Sequence, residues 1–117
     1  MRIARMVRGG IVEYAEAVRT MSKLRDERID DLIPDTILFL EHPEIVTMGP
    51  RARREGVTAE GYSTVDVDRG GGLTWHGPGQ IICYLVIDLN KRKKDIRKFI
   101  SAIEKSIINT LKELDMK

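Results

Sequence analysis

The chain has one cysteine among 117 residues, so no internal disulfide can form and a cysteine-rich zinc site is excluded. It has two histidines and no third ligand close to either in sequence, which gives no metal site to argue for. No charge of one sign dominates. Twenty basic residues face 18 acidic ones for a net charge of +2, so the imbalance expected of a nucleic-acid binder is missing. The longest apolar run, residues 81–87, is far too short to span a bilayer. The N-terminal residues MRIARMVRGG lack the apolar stretch of a secretory signal. There is no internal repeat and no low-complexity segment. These absences point to an intracellular, cytoplasmic protein without membrane or nucleic-acid partners.

What the chain does have is alternating short patterns. Residues 2–8 alternate apolar and basic side chains and predict an edge strand ended by Gly9-Gly10. Over residues 12–28 the period becomes helical, with Val12, Ala15, Val18, Met21 and Leu24 or Arg25 on one face. Residues 36–40 and 44–48 read as strands separated by His42-Pro43, with the spacing of a hairpin. His42 is read as shaping the strand end. Residues 51–62 read as a loop or a short helical turn, its arginines solvated, and 64–68 as a strand with one wet face. Residues 81–89 predict a strand covered on both faces, with Cys83 as an inert core thiol. Asp95 is placed to cap a helix running to about Asp115, its apolar face marked by Ile96, Phe99, Ile100, Ile103, Ile107, Leu111 and Leu114. The expected fold is α+β, a mixed β-sheet with helices packed on one face, and residues 1–117 form one domain or part of one.

The informative stretch is Arg69-Gly-Gly-Gly-Leu-Thr-Trp-His-Gly-Pro-Gly-Gln80. It holds five of the ten glycines and the only tryptophan. A turn needs two glycines; five cost more backbone entropy than a turn requires. Bare backbone lets a ligand approach the main chain, and Thr74, Trp75 and His76 put a hydroxyl, an indole and an imidazole beside it. The spacing matches neither phosphate-loop pattern, and a strand rather than a helix follows. The segment therefore reads as a ligand site that does not hold a phosphate.

This segment closely resembles the signature R-G-G-x-x-T-[YW]-H-G-P-G-Q of lipoyl(octanoyl) transferases. Leu40-Glu-His-Pro-Glu-Ile-Val-Thr-Met-Gly49 resembles a second segment of that family, and the chain as a whole resembles its N-terminal half. Lipoate ligases differ by an Arg-Arg-x-Ser before the glycines, and biotin ligases by an arginine-rich loop; neither occurs here.

The resemblance implies the biotin/lipoate ligase-transferase catalytic fold. It implies transfer of an octanoyl group from octanoyl-acyl carrier protein to a lysine of lipoyl domains, those of 2-oxoacid dehydrogenase or glycine cleavage proteins. It implies no ATP and no other cofactor. Carried over residue by residue, it makes Arg69, Gly70, Gly71, Gly72, Leu73, Thr74, Trp75 and His76 the substrate-binding residues, with Leu73 and Trp75 as apolar wall and His76 orienting the thioester. The family's catalytic cysteine and lysine have no match here and fall beyond Lys117, so a separate C-terminal half chain is one expected partner. Lys91 to Lys94 form a basic run, solvated or able to steer acidic protein partners. Two other readings stay open at this point: a non-catalytic acyl- or lipoyl-domain-binding module, and a lipoate-protein ligase-like enzyme.

Overall fold

The computed structural model describes residues 4–69, 71–91 and 95–116. It divides into two units, residues 1–87 and 88–117.

The first unit is built on two small mixed sheets. In one, β1 (Ala4–Ile11) pairs in parallel with β2 (Asp35–Glu41), and β2 pairs antiparallel with the later strand β6 (Ile82–Val86). In the other, β3 (Ile45–Met48) is central, parallel to β4 (Thr64–Asp66) and antiparallel to β5 (Leu73–His76). The α+β class and the mixed pairing are as expected. The hairpin is not. Strands β2 and β3 belong to different sheets, because Glu41-His42-Pro43 carries the chain from one to the other. Strand β1 is an edge strand as predicted, yet Gly9-Gly10 does not end it. A register shift between Arg8 and Ile11 absorbs the two glycines, with Gly10 at φ 68°.

The helix α1 (Tyr14–Ile29) follows, and its phase differs from the sequence reading. Ala17, 1% exposed, packs with Leu38 and Leu40 of β2, and Met21, Leu24, Ile82 and Tyr84 close around them. Tyr14, Ala17, Met21, Leu24 and Arg28 thus face the sheet at helical spacing, whereas Ala15 and Val18 point elsewhere. The helix ends on a buried ion pair. Arg28 Nε donates to Asp35 Oδ1 at 2.9 Å and its Nη1 to Asp31 Oδ1 at 2.9 Å. Arg28 was a face-neutral position in the sequence. Its burial follows from lying one turn beyond Leu24, over the start of β2.

Strand β6 was expected to be covered on both faces. Only Ile82, Tyr84 and Val86 turn inward. Cys83 and Leu85 are exposed, since the sheet carries a helix on one side of this unit. Cys83 is therefore not a core residue. A short helix α2 (Pro50–Arg54) opens on Pro50, the helical turn foreseen after β3.

In the second unit, Asp95 accepts a hydrogen bond from the Lys98 N–H at 3.1 Å and caps α3 (Ile96–Glu113), as its position predicts. Among the described residues of this unit, none covers the apolar stripe of α3, which has no buried residue. The basic run at 92–94 lies outside the described residues. Among the described residues no helix is long and apolar enough to cross a membrane.

Leu40 is 5% exposed at the centre of the α1–β2 packing. Leu40→Ala is expected to cost about 2–5 kcal/mol of stability, read as a lower denaturant midpoint in equilibrium unfolding.

Candidate functional site

The glycine-rich signature does not hang free as a loop. Its middle, Leu73–His76, is the strand β5, hydrogen-bonded to β3 with Ile45 opposite His76 and Met48 opposite Leu73. Sequence reasoning missed this strand because glycines flank it on both sides. The two ends are tied to the same preceding segment. Glu41 Oε1 accepts from the Gly79 N–H at 2.6 Å. Glu44 Oε2 accepts from the Trp75 indole N–H at 3.0 Å. Gly49 N–H donates to the Gly72 carbonyl at 3.0 Å. A Cβ at Gly49 would run into the Gly71 carbonyl, so the close approach of these two backbones requires glycine. The two motifs picked out in the sequence are thus the two halves of one structure.

Strand alternation sorts the predicted site residues onto two faces. Thr74 and His76 share a face with Thr47 and Val65. Leu73 and Trp75 lie on the other. Trp75, 43% exposed, folds its indole over Gly77, where a Cβ would collide with the ring. The proposed apolar wall of Leu73 and Trp75 is therefore not on the side that carries His76. Arg69 donates to the hydroxyl of Thr47, a residue with no exposed surface. Gly71 sits at φ 107°, and Gly70 lies outside the described residues.

His76 belongs to a cluster that takes in both histidines and two of the tyrosines. Its ring stacks on Tyr14 at 6.2 Å between centroids and meets His42 edge-on at 5.9 Å. His42 is fully buried. Its Nδ1–H donates to the Val12 carbonyl at 2.7 Å, which leaves Nε2 to accept from the Tyr84 hydroxyl at 2.8 Å. The shaping role given to His42 fits, and Tyr84 and Tyr14 are additions that no local sequence signal marked. Burial pushes the Tyr84 hydroxyl above its ordinary pKa, and Tyr14 adds to the effect.

The tautomer of His76 follows from its neighbour. Gln80 Nε2 donates to the Trp75 carbonyl at 3.3 Å, so its Oε1 accepts from His76 Nδ1–H at 3.2 Å. In the neutral ring the bare Nε2 is then the acceptor available to a ligand. Among the described residues no group of three metal-ligating side chains forms.

A cleft of about 510 Å³ is lined by Tyr14, Ala15 and Val18 of α1 and by Val65, Asp66, Val67, Asp68 and Arg69. Ala15 and Val18 of α1 find their role here. They belong to the apolar stripe read from the sequence, but they line this cleft instead of the core. A cleft with apolar side chains and a cation in its lining suits a ligand with an apolar tail and a polar head.

The fold and site together define a class. Residues 13–117 match the family described as lipoyl protein ligase A/B catalytic domain, and the chain belongs to it. It is 40% identical over 109 residues to an octanoyltransferase of Bartonella bacilliformis, covering 92% of this chain and 45% of that protein. It is 37% identical over 107 residues to an octanoyltransferase of Corynebacterium jeikeium, covering 92% and 44%. The chain thus spans less than half the length of these curated relatives. Among solved structures, the protein described as a "putative lipoate protein ligase from T. acidophilum" superposes with a TM-score of 0.60 at 19% identity, over 98% of this chain and 49% of that one. That likeness shows the ligase-transferase fold.

Two outcomes test the site and a third tests Cys83. Tyr84→Phe removes the donor to the fully buried His42 Nε2 and is expected to cost about 1–3 kcal/mol in thermal or denaturant unfolding. Tyr14→Phe, whose hydroxyl has no partner among the described residues, should change stability by no more than about 0.5 kcal/mol. Cys83 is exposed, but partial desolvation raises its thiol pKa. Less thiolate is present at any given pH, so alkylation by iodoacetamide at neutral pH is expected to run slower than that of a small free thiol, measured by intact mass.

Proposed function

We propose that this chain forms the acyl-binding, N-terminal part of an octanoyltransferase catalytic domain acting in protein lipoylation in the cytoplasm. The donor is octanoyl-acyl carrier protein and the acceptor a lysine of a lipoyl domain. The observation that carries the reading is the cleft lined by Tyr14, Ala15, Val18, Val65, Val67 and Arg69, the first residue of the signature, in a chain whose relatives are named octanoyltransferases. Tyr14, Ala15, Val18, Val65 and Val67 hold the acyl tail. The Gly71–Gly72 backbone receives the thioester carbonyl, and His76 Nε2, presented by Gln80, orients the head. Arg69 to His76 serve as the signature implies, although Leu73 and Trp75 act from the opposite face, holding the β5 strand and the Gly77 turn.

Among the described residues, no cysteine, serine or lysine lines the cleft. Cys83 lies on β6, outside the cleft lining, with a raised thiol pKa. The covalent step then belongs to the family's cysteine and lysine, beyond Lys117. In this reading the chain binds and orients the acyl group, and its completing segment forms the acyl-enzyme and passes the acyl group to the lysine.

Incubation with octanoyl-acyl carrier protein tests the division of labour. Shifts in the amide spectra of Val65, Val67 and Gly71, with no mass adduct on the chain, are the expected result. A thioester adduct on Cys83 would reassign the nucleophile. Absence of any spectral change would remove the acyl-binding reading.

A further inference from the structure

Glu41 closes β2 in one sheet, yet its side chain serves the segment that follows the other. Its Oε1 accepts from the Gly79 N–H at 2.6 Å, the short distance of a bond to a charged oxygen. The backbone of Glu41 is itself held, because its carbonyl accepts from the Val12 N–H at 2.8 Å. The carboxylate therefore reaches out from a fixed strand end. Gly79 sits inside a tight turn. The Gln80 N–H donates to the Gly77 carbonyl at 3.1 Å, with Pro78 and Gly79 between them and Gly79 at φ 91°. Proline followed by a glycine of positive φ is the pattern of a type II turn. Pro78 has no N–H, and the Gln80 N–H closes the turn. The Gly79 N–H is the donor left over, and Glu41 takes it.

The turn ends on Gln80, whose side chain folds back over it. Gln80 Nε2 donates to the Trp75 carbonyl at 3.3 Å, and its Oε1 accepts from His76 Nδ1–H at 3.2 Å. Trp75 is part of β5 and stands opposite Val46 of β3. Its carbonyl can only accept, so it decides which end of the carboxamide turns to His76. An isolated neutral imidazole of histidine favours the proton on Nε2. A bond held at Nδ1 reverses that choice. The other neighbours of the ring do not choose. Tyr14 stacks on it and His42 meets it edge-on, and among the described residues neither is hydrogen-bonded to it. The proton on His76 thus depends on Gln80, Gln80 on its turn, and the turn on a carboxylate 38 residues before Gly79.

We propose that Glu41 is a positioning residue for His76: by holding the turn at residues 77–80 it sets the Gln80 carboxamide, and through it keeps the His76 proton on Nδ1 and Nε2 bare. Glu41 has no bond to His76 and does not line the cleft, so it acts through this chain of contacts. An amide at the point of contact fixes the proton without placing a charge beside the ring. The use of the bare Nε2 by an acyl ligand rests on the reading above; the place of the proton does not.

Nitrogen NMR spectra of the isotope-labelled imidazole rings read the tautomer directly. They are recorded on the free chain at mildly alkaline pH, where imidazoles are neutral. The wild type is expected to show His76 as Nδ1–H. Gln80→Met removes the acceptor and is expected to make Nε2–H the major form. Glu41→Met releases the turn and is expected to give a smaller shift in the same direction. Glu41→Gln keeps an oxygen for the Gly79 N–H and should keep His76 as Nδ1–H. Leu24→Ala removes core packing under α1. It should lower the melting temperature and leave the tautomer unchanged, which separates positioning from general loosening. A wild type found as Nε2–H, an unshifted Glu41→Met, or an equal shift in Leu24→Ala would overturn the assignment. Addition of octanoyl-acyl carrier protein to the wild type then tests the other reading. A change at the His76 Nε2 resonance supports it; no change counts against acyl binding while Glu41 keeps its role.

Discussion

The pairing of β3 with β5 is the constraint on which the site depends. Both strands are four residues long, and neither would persist alone. Together with the bonds from Glu41, Glu44 and Gly49 they convert a glycine-rich segment, entropically costly to order, into a defined surface. The order is paid for by a segment 30 residues earlier rather than by the signature itself. This explains why the segment 40–49, across the end of β2 and β3, carries its own motif. It must present carboxylates at 41 and 44, a small hydroxyl at 47 that can be buried, and no side chain at 49. The signature answers with Gly79, the indole of Trp75, the Arg69 side chain and the Gly71 carbonyl.

A second group works at the level of the whole unit. His42 sits where the chain leaves one sheet for the other, and its two ring nitrogens bond to Val12, in the link between β1 and α1, and to Tyr84 of β6. A buried imidazole with both nitrogens satisfied fixes three elements at one point, without the unsatisfied-donor cost that makes buried polar groups expensive. His76 then packs against this fixed ring and against Tyr14. Its orientation is inherited from the framework on one side and from Gln80 on the other.

Much of this was legible in the sequence, and the misses have physical causes. Period-2 and period-3.6 patterns placed most of the strands and both long helices, and Asp95 announced its cap. The glycine signature marked the segment proposed as the ligand site, because a turn alone does not need five glycines. The helix phase was misjudged because Ala15 and Val18 are as apolar as the true core residues; apolar side chains mark a face without saying whether protein or ligand will cover it. The strand β5 was hidden by flanking glycines, and its pairing came from a segment distant in sequence. Tyr14 and Tyr84 were invisible for a similar reason: their significance lies in what His42 needs, and that is known only once the strands are placed.

The connectivity of the two sheets has a consequence for how the chain is made. Among the described residues no strand pairs with its successor through a tight turn; every ladder joins segments separated by a helix, a crossover or another strand. Such non-local pairings are slow to form, because loop closure must precede any gain from contact. During synthesis β2 emerges long before β6, so one hydrogen-bonding edge of the central strand waits unpaired until the residues after the signature have left the ribosome. The glycine site is completed in the same interval. A nascent chain of this protein exposes an apolar strand edge while residues 42–81 are being made, the kind of edge on which unfolded chains associate.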